Sequence, residues 1–224
     1  MVKKRTHLLQ DNPPTLPRAL TKNQQLFIDA VIHKDLVIAL GSAGTGKSFL
    51  SAAMAAFFYK TGKCKTIILT RPTVPTGKSI GFFPGSLDEK MEPWVSPFLS
   101  VLEQELTKGK VEIMRKAGQI QIVPFEVIRG RSWNEAFVIL DEGQNCDLIE
   151  LKAFVTRQGE NTTAIINGDI SQSDLKNSGL GVLVSIVERD KELKEFTQLI
   201  NFSSDDIVRS GICKAWVKAF EKFS

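Results

Sequence analysis

Cysteine is scarce in this chain: three residues in 224, at Cys64, Cys146 and Cys213. Odd in number, far apart and never in a C-x-x-C pair, they exclude a disulfide framework and a cysteine metal knuckle. They fit a reducing compartment. Long hydrophobic runs are missing as well. No stretch approaches the roughly 18–20 apolar residues that cross a membrane. The basic start, from Met1 to Arg5, leads into no apolar segment of the kind a secretion signal needs. Repeats and low-complexity tracts are absent, which excludes a solenoid. These absences predict a soluble cytoplasmic protein with no membrane partner. Neither sign of charge dominates: the net is +4, which permits an anionic partner without demanding one.

What is present is an alternation of short apolar runs and helical patterns. The 42% of hydrophobic residues suffices for one well-cored domain. Residues 1–20, with Pro13, Pro14 and Pro17, read as an extended arm, because proline restricts its neighbours and offers no helical donor. Thr21-Lys22-Asn23-Gln24 has the shape of a capping box and opens a helix whose apolar face is Phe27, Ile28, Val31 and Ile32. Runs at 36–40, 66–70, 120–123, 136–140, 164–167 and 197–201 read as buried strands, with a helix over 47–59 after the first. This pattern predicts an α/β domain over residues 21–224, a parallel sheet with helices on both faces. Residues 72–118 interrupt it. Pro72, Pro75, Gly77, Gly81, Pro84 and Gly85 make an irregular loop, and a helical insertion follows from Met91 to Leu106. At the end, Val208, Ile212, Ala215, Trp216, Ala219 and Phe220 lie at helical spacing over 203–223 and predict an amphipathic helix.

The run Gly41-Ser42-Ala43-Gly44-Thr45-Gly46-Lys47-Ser48 follows the first strand and precedes a helix. It fits G-x-x-x-x-G-K-[ST], whose glycines let backbone N–H groups curl around phosphate oxygens. The helix N-terminus adds its partial positive charge. Lys47 is placed to reach the β- and γ-phosphates, and the Ser48 hydroxyl to ligate Mg²⁺. A second signature is Ala136-Phe137-Val138-Ile139-Leu140-Asp141-Glu142, a buried strand ending in two acids and placed one strand-pairing from the loop. Asp141 suits the Mg²⁺ shell; Glu142 suits a base that takes a proton from, or orients, the attacking water. A third apolar strand leads into Asn167-Gly168-Asp169-Ile170-Ser171-Gln172. Gln172 either senses the γ-phosphate and the water, or belongs to an ordinary polar turn.

These segments, with Arg71-Pro72, Gly81-Phe82-Phe83-Pro84-Gly85, Arg129-Gly130-Arg131 and Gly143-Gln144-Asn145, resemble the PhoH-family ATPases. That family is similar to the first motor domain of superfamily-one helicases, a RecA-like P-loop fold. The resemblance covers about residues 20–220. It implies Mg²⁺-dependent ATP hydrolysis. It also implies that Gln24 reads adenine, unless its side chain is spent on the capping box. Arg157 and Arg209 would stand near the γ-phosphate and neutralise transition-state charge, unless they are merely exposed helix arginines. Thr70, Arg71 and Pro72 match a segment lying near nucleic acid. Gly143 and Ser48 depart from the commoner alanine and threonine, and Ser48 keeps the hydroxyl. No nuclease domain is present, so no phosphodiesterase activity is expected.

Lys78, Phe82, Phe83, Arg129, Arg131 and Trp133 mix cations with rings, the composition of a single-strand stacking platform, though the two phenylalanines equally suit core anchors. The expected partners are therefore nucleotide and RNA or single-stranded DNA. A helicase of this type closes two lobes on one nucleotide, and this chain holds one. A homo-oligomer, such as a hexameric ring in which neighbours share a site, would supply the rest. Two other readings stand beside the nucleic-acid-coupled ATPase: an ATP-gated scaffold with slow turnover, and a small-molecule kinase. The kinase is disfavoured by the adjacent acids and the absence of an acceptor lid.

Overall fold

The computed structural model describes residues 14–72, 87–125, 128, 132–173 and 178–223. Six strands form its sheet: β1 (Leu36–Leu40), β2 (Thr66–Arg71), β3 (Ile120–Pro124), β4 (Ala136–Leu140), β5 (Thr163–Gly168) and β6 (Thr197–Asn201). All pairings are parallel, in the order β3-β2-β4-β5-β1-β6. The helices are α1 (Lys22–His33), α2 (Lys47–Lys60), α3 (Leu87–Leu106), α4 (Lys108–Lys116), α5 (Leu148–Val155), α6 (Leu180–Arg189), α7 (Leu193–Phe196) and α8 (Gly211–Phe223). Residues 14–19 carry no regular secondary structure.

The strands are apolar throughout because both faces of the sheet are covered. Alternate residues still divide cleanly between two cores. Val37, Ala39, Ile67, Leu69, Phe137, Ile139 and Ile165 face the layer of α1, α2, α3 and α4. Leu36, Ile38, Ile68, Val138, Leu140, Ala164 and Ile166 face α5 and α6. On the first face, helix α2 buries Leu50, Ala52, Ala53, Met54, Ala55 and Ala56, and small residues let it lie close to the sheet.

Two expectations are corrected. Asp141 and the phosphate loop are two pairings apart, not one, because β5 lies between β4 and β1. The last helix begins at Gly211 instead of 203. Ser203 and Asp206 close a capping box around a 3-10 turn, and the Val208 N–H is spent on the Gly44 carbonyl at 3.1 Å. The stripe of α8 also stays outside the core: Ile212, Trp216 and Phe220 are 60–68% exposed in the single chain, with the two rings stacked at 5.8 Å.

Among the described residues no helix is long and apolar enough to cross a membrane. Cys64 and Cys146 are buried, and burial pushes the Cys64 thiol up to about 12, while Cys213 on α8 is half-exposed. Thiol labelling of the native protein is expected to modify Cys213 first and to reach the other two only on unfolding. Equal labelling rates at all three would contradict this packing.

Candidate nucleotide site

Strand β1 delivers the chain into Gly41, whose N–H donates to the Gly168 carbonyl of β5 at 3.1 Å. The loop then turns with φ of +140° at Gly41, +87° at Gly44 and +90° at Gly46. At Gly41 the conformation and the space both require glycine: a Cβ there would fall onto the Phe202 carbonyl. Behind the loop, the buried Thr45 donates its hydroxyl to the Ser42 carbonyl at 3.0 Å. Gln24 braces it from α1. Its Oε1 accepts from Leu20 N at 2.8 Å and its Nε2 donates to the Thr45 carbonyl at 3.0 Å. Thr21 caps α1 by accepting from Gln24 N, but the Gln24 side chain turns to Leu20 N and the Thr45 carbonyl instead of the Thr21 N–H, so the expected capping box is only half formed.

Lys47 opens α2 with its Nζ turned onto the loop, donating to Gly41 O at 2.5 Å and Ser42 O at 2.9 Å. Burial pulls its ammonium below the ordinary range, against the opposing pull of Asp169, Asp141 and Glu142. One residue on, Ser48 Oγ donates to Asp141 Oδ1 at 3.2 Å. The intervening strand completes that contact: Asn167 of β5, 1% exposed, donates to the same Asp141 oxygen at 3.4 Å and to Ser51 Oγ at 3.1 Å. Burial first, then the Glu142 charge, push the Asp141 carboxyl up, while Arg71, Asn167 and Ser48 pull it back.

Glu142 leaves β4 in a left-handed backbone, φ 56° and ψ 40°, a conformation costly for a non-glycine residue and concentrated at functional sites. Its carboxylate receives Gln144 Nε2 at 2.5 Å and lies 3.6 Å from Arg71 Nη2. The Arg71 guanidinium also covers the Trp94 ring of α3 at 5.0 Å. The inserted helix thus supplies a wall, with Trp94, Pro97 and Phe98 facing a cavity of about 450 Å³. Helix α4 anchors the wall through the paired contacts of Arg115 with Glu92, at 3.1 and 2.8 Å.

Gly41, Ala43, Gly44, Gly46, Lys47, Ser48, Asp141, Glu142, Gln172 and Arg209 all line this cavity. Arg209 lies in the segment before α8 and drapes over Gly44, so it is not a helix arginine. Gln24 is 3% exposed and does not line the cavity. Arg157 is corrected: its carbonyl accepts from Trp133 N at 3.0 Å, before β4 begins. That is the opposite end of the sheet, about 15 Å away across a five-residue strand. Arg71, expected near nucleic acid, lines the cavity and stands against Glu142. Trp133 is 5% exposed and packs on Phe154 at 5.1 Å, so it is a core ring. Lys78, Phe82, Phe83, Arg129 and Arg131 lie outside the described residues.

Sequence reasoning assigned no role to Gln144, Asn167 or Trp94. A buried polar residue closing an apolar run is a signal that Asn167 carries. Trp94 carries none, because only the packing of α3 brings it to the site.

A family model described as PhoH-like protein matches residues 18–221. The chain belongs to the PhoH family. It is 37% identical over 208 residues to the PhoH-like protein of Bacillus subtilis (strain 168), covering 92% of this chain and 64% of that one. It is 36% identical over 216 residues to Protein PhoH of Escherichia coli (strain K12), covering 95% and 61%. It therefore spans less than two thirds of the length of these relatives. The fold is similar to the large terminase of bacteriophage HK97, with a TM-score of 0.60, 15% identity, and 93% of this chain and 49% of that one covered. Family and fold make this PhoH-family chain a P-loop NTPase domain. Replacing Lys47 with Ala removes a charged donor worth about 1.5–3 kcal/mol, so ATP affinity should fall roughly 10- to 150-fold in a fluorescent-nucleotide titration. Unaltered affinity would contradict the role of Lys47.

Proposed function

We propose that this chain hydrolyses ATP with Mg²⁺, and that turnover is coupled to binding or remodelling RNA or single-stranded DNA in a homo-oligomer. The observation that carries the hydrolysis reading is the Ser48–Asp141 contact with Glu142 beside it in one cavity. A hydroxyl and a carboxylate are hard oxygen donors that suit Mg²⁺, which keeps waters and takes phosphate oxygens for its other places. Among the described residues no cluster of three or more His, Cys, Asp or Glu could hold a metal alone. The ion would therefore arrive with the nucleotide, held by Ser48 and Asp141. When bound, it offsets charge on the β- and γ-phosphates.

The remaining chemistry belongs to the backbone and side chains of the chain itself. The loop N–H groups grip phosphate, and Lys47 exchanges the carbonyls of Gly41 and Ser42 for phosphate oxygens. Glu142 accepts the proton of the attacking water as a new P–O bond forms at the γ-phosphorus. The bond to the β–γ bridging oxygen breaks, and ADP leaves. Gln172 orients that water, and Arg209 offsets transition-state charge at the γ-phosphate. One observation supports the oligomer: the apolar stripe of α8 faces solvent in the single chain. The cation-and-ring composition of 78–83 and 129–131 supports the nucleic-acid partner.

Glu142→Gln should keep ATP bound within about threefold while lowering kcat by roughly 10²- to 10⁴-fold. Retained turnover would remove Glu142 from its role. In the parent, phosphate release should rise several-fold with RNA or single-stranded DNA. Turnover that neither polymer alters would favour the ATP-gated scaffold instead.

A further inference from the structure

We infer that Gln144 is a positioning residue that sets the Glu142 carboxylate and ties it to the segment carrying Gln172; this rests on the hydrolysis reading above. Gln144 is 2% exposed, yet both ends of its amide are engaged. Nε2 donates to Glu142 Oε2 at 2.5 Å, and Oε1 accepts from the Asp169 N–H at 3.1 Å. Its backbone is held as well, since Ser173 Oγ donates to the Gln144 carbonyl at 3.0 Å. Asp169 in turn opens the 3-10 turn Ile170–Gln172, its Oδ1 accepting from Ser171 N at 3.0 Å and Ser171 Oγ at 2.6 Å. One buried amide therefore spans the base and the start of the turn that presents the water-orienting glutamine.

The chemistry of that bridge is specific. It needs a donor toward a carboxylate and an acceptor toward a backbone N–H, from one neutral group. Glutamate keeps the acceptor but sets oxygen against oxygen at Glu142. Methionine has nearly the same shape and keeps neither hydrogen bond. A fixed donor leaves the second carboxylate oxygen of Glu142 to face water, against the competing pull of Arg71 at 3.6 Å. Supporting hydrogen bonds of this kind hold a reacting group within the narrow geometry that turnover requires.

Steady-state kinetics of Gln144→Glu and Gln144→Met, with ATP affinity and hydrogen exchange at the Asp169 amide, test the assignment. Both variants should lose about tenfold or more in kcat while KM and ATP affinity stay within about twofold. The Asp169 amide should stay protected in Gln144→Glu and open in Gln144→Met. Unchanged kcat in either variant overturns the proposal. So does a fall in ATP affinity that matches the fall in kcat, which would mark a purely structural role. The methionine variant suits the buried site if the added charge of glutamate prevents folding. A parent that binds ATP without turning it over would sink the hydrolysis reading and this assignment together. A hydrolysing parent with unaffected variants sinks the assignment alone.

Discussion

The contact between the Ser48 hydroxyl and the Asp141 carboxylate, at 3.2 Å, is the constraint on which the rest of the site depends. It joins residues 93 positions apart, Ser48 in the first turn of α2 and Asp141 just after β4, and the strands that lead to them, β1 and β4, do not pair with one another. Strand β5 separates them, and the register of its two pairings decides whether they meet. Leu40 of β1 pairs with Gly168, and Leu140 of β4 pairs with Ile166, so both strand ends come level beside Asn167. Asn167 then fills the gap with hydrogen bonds to both sides. A one-residue slip in either pairing would turn every side chain of that strand to the other face and carry the acid away.

Charge in the cavity is balanced at close quarters. Lys47 is desolvated enough to weaken its ammonium form, and Asp141 enough to weaken its carboxylate. Asp169, Asp141 and Glu142 ease the burial of Lys47, and Arg71 eases that of Asp141, since Coulomb interactions strengthen as water is excluded. Arg71 adds a further cation beside Glu142, and the Trp94 face holds it there. The cavity therefore gathers charges of both signs that rest on internal pairs: Lys47 on loop carbonyls and Arg71 on Glu142.

The fold is legible in the sequence wherever local pattern decides the outcome. The six apolar runs match the strands to within a residue or so, and the glycine loop follows β1 as expected. What local pattern cannot supply is strand order. Nothing in 136–140 or 164–167 says which run pairs with β1, and so the insertion of β5 is missed. Side-chain direction is equally hidden. Arg71, Arg157 and Arg209 share one residue type, yet one lies against Glu142, one sits at the far end of the sheet and one drapes over Gly44. Helical spacing at 208–220 identifies an apolar stripe without saying whether its own chain covers it.

Hydrolysis in ¹⁸O-enriched water is the most direct test of the central claim, that water activated beside Glu142 attacks the γ-phosphorus of ATP held by Gly41–Ser48 and Asp141. The chain is incubated with Mg²⁺ and ATP, and both products are analysed by mass spectrometry. Incorporation of ¹⁸O into inorganic phosphate, with none in ADP, is the expected result. Label in ADP, or no phosphate released above the spontaneous rate, would contradict it.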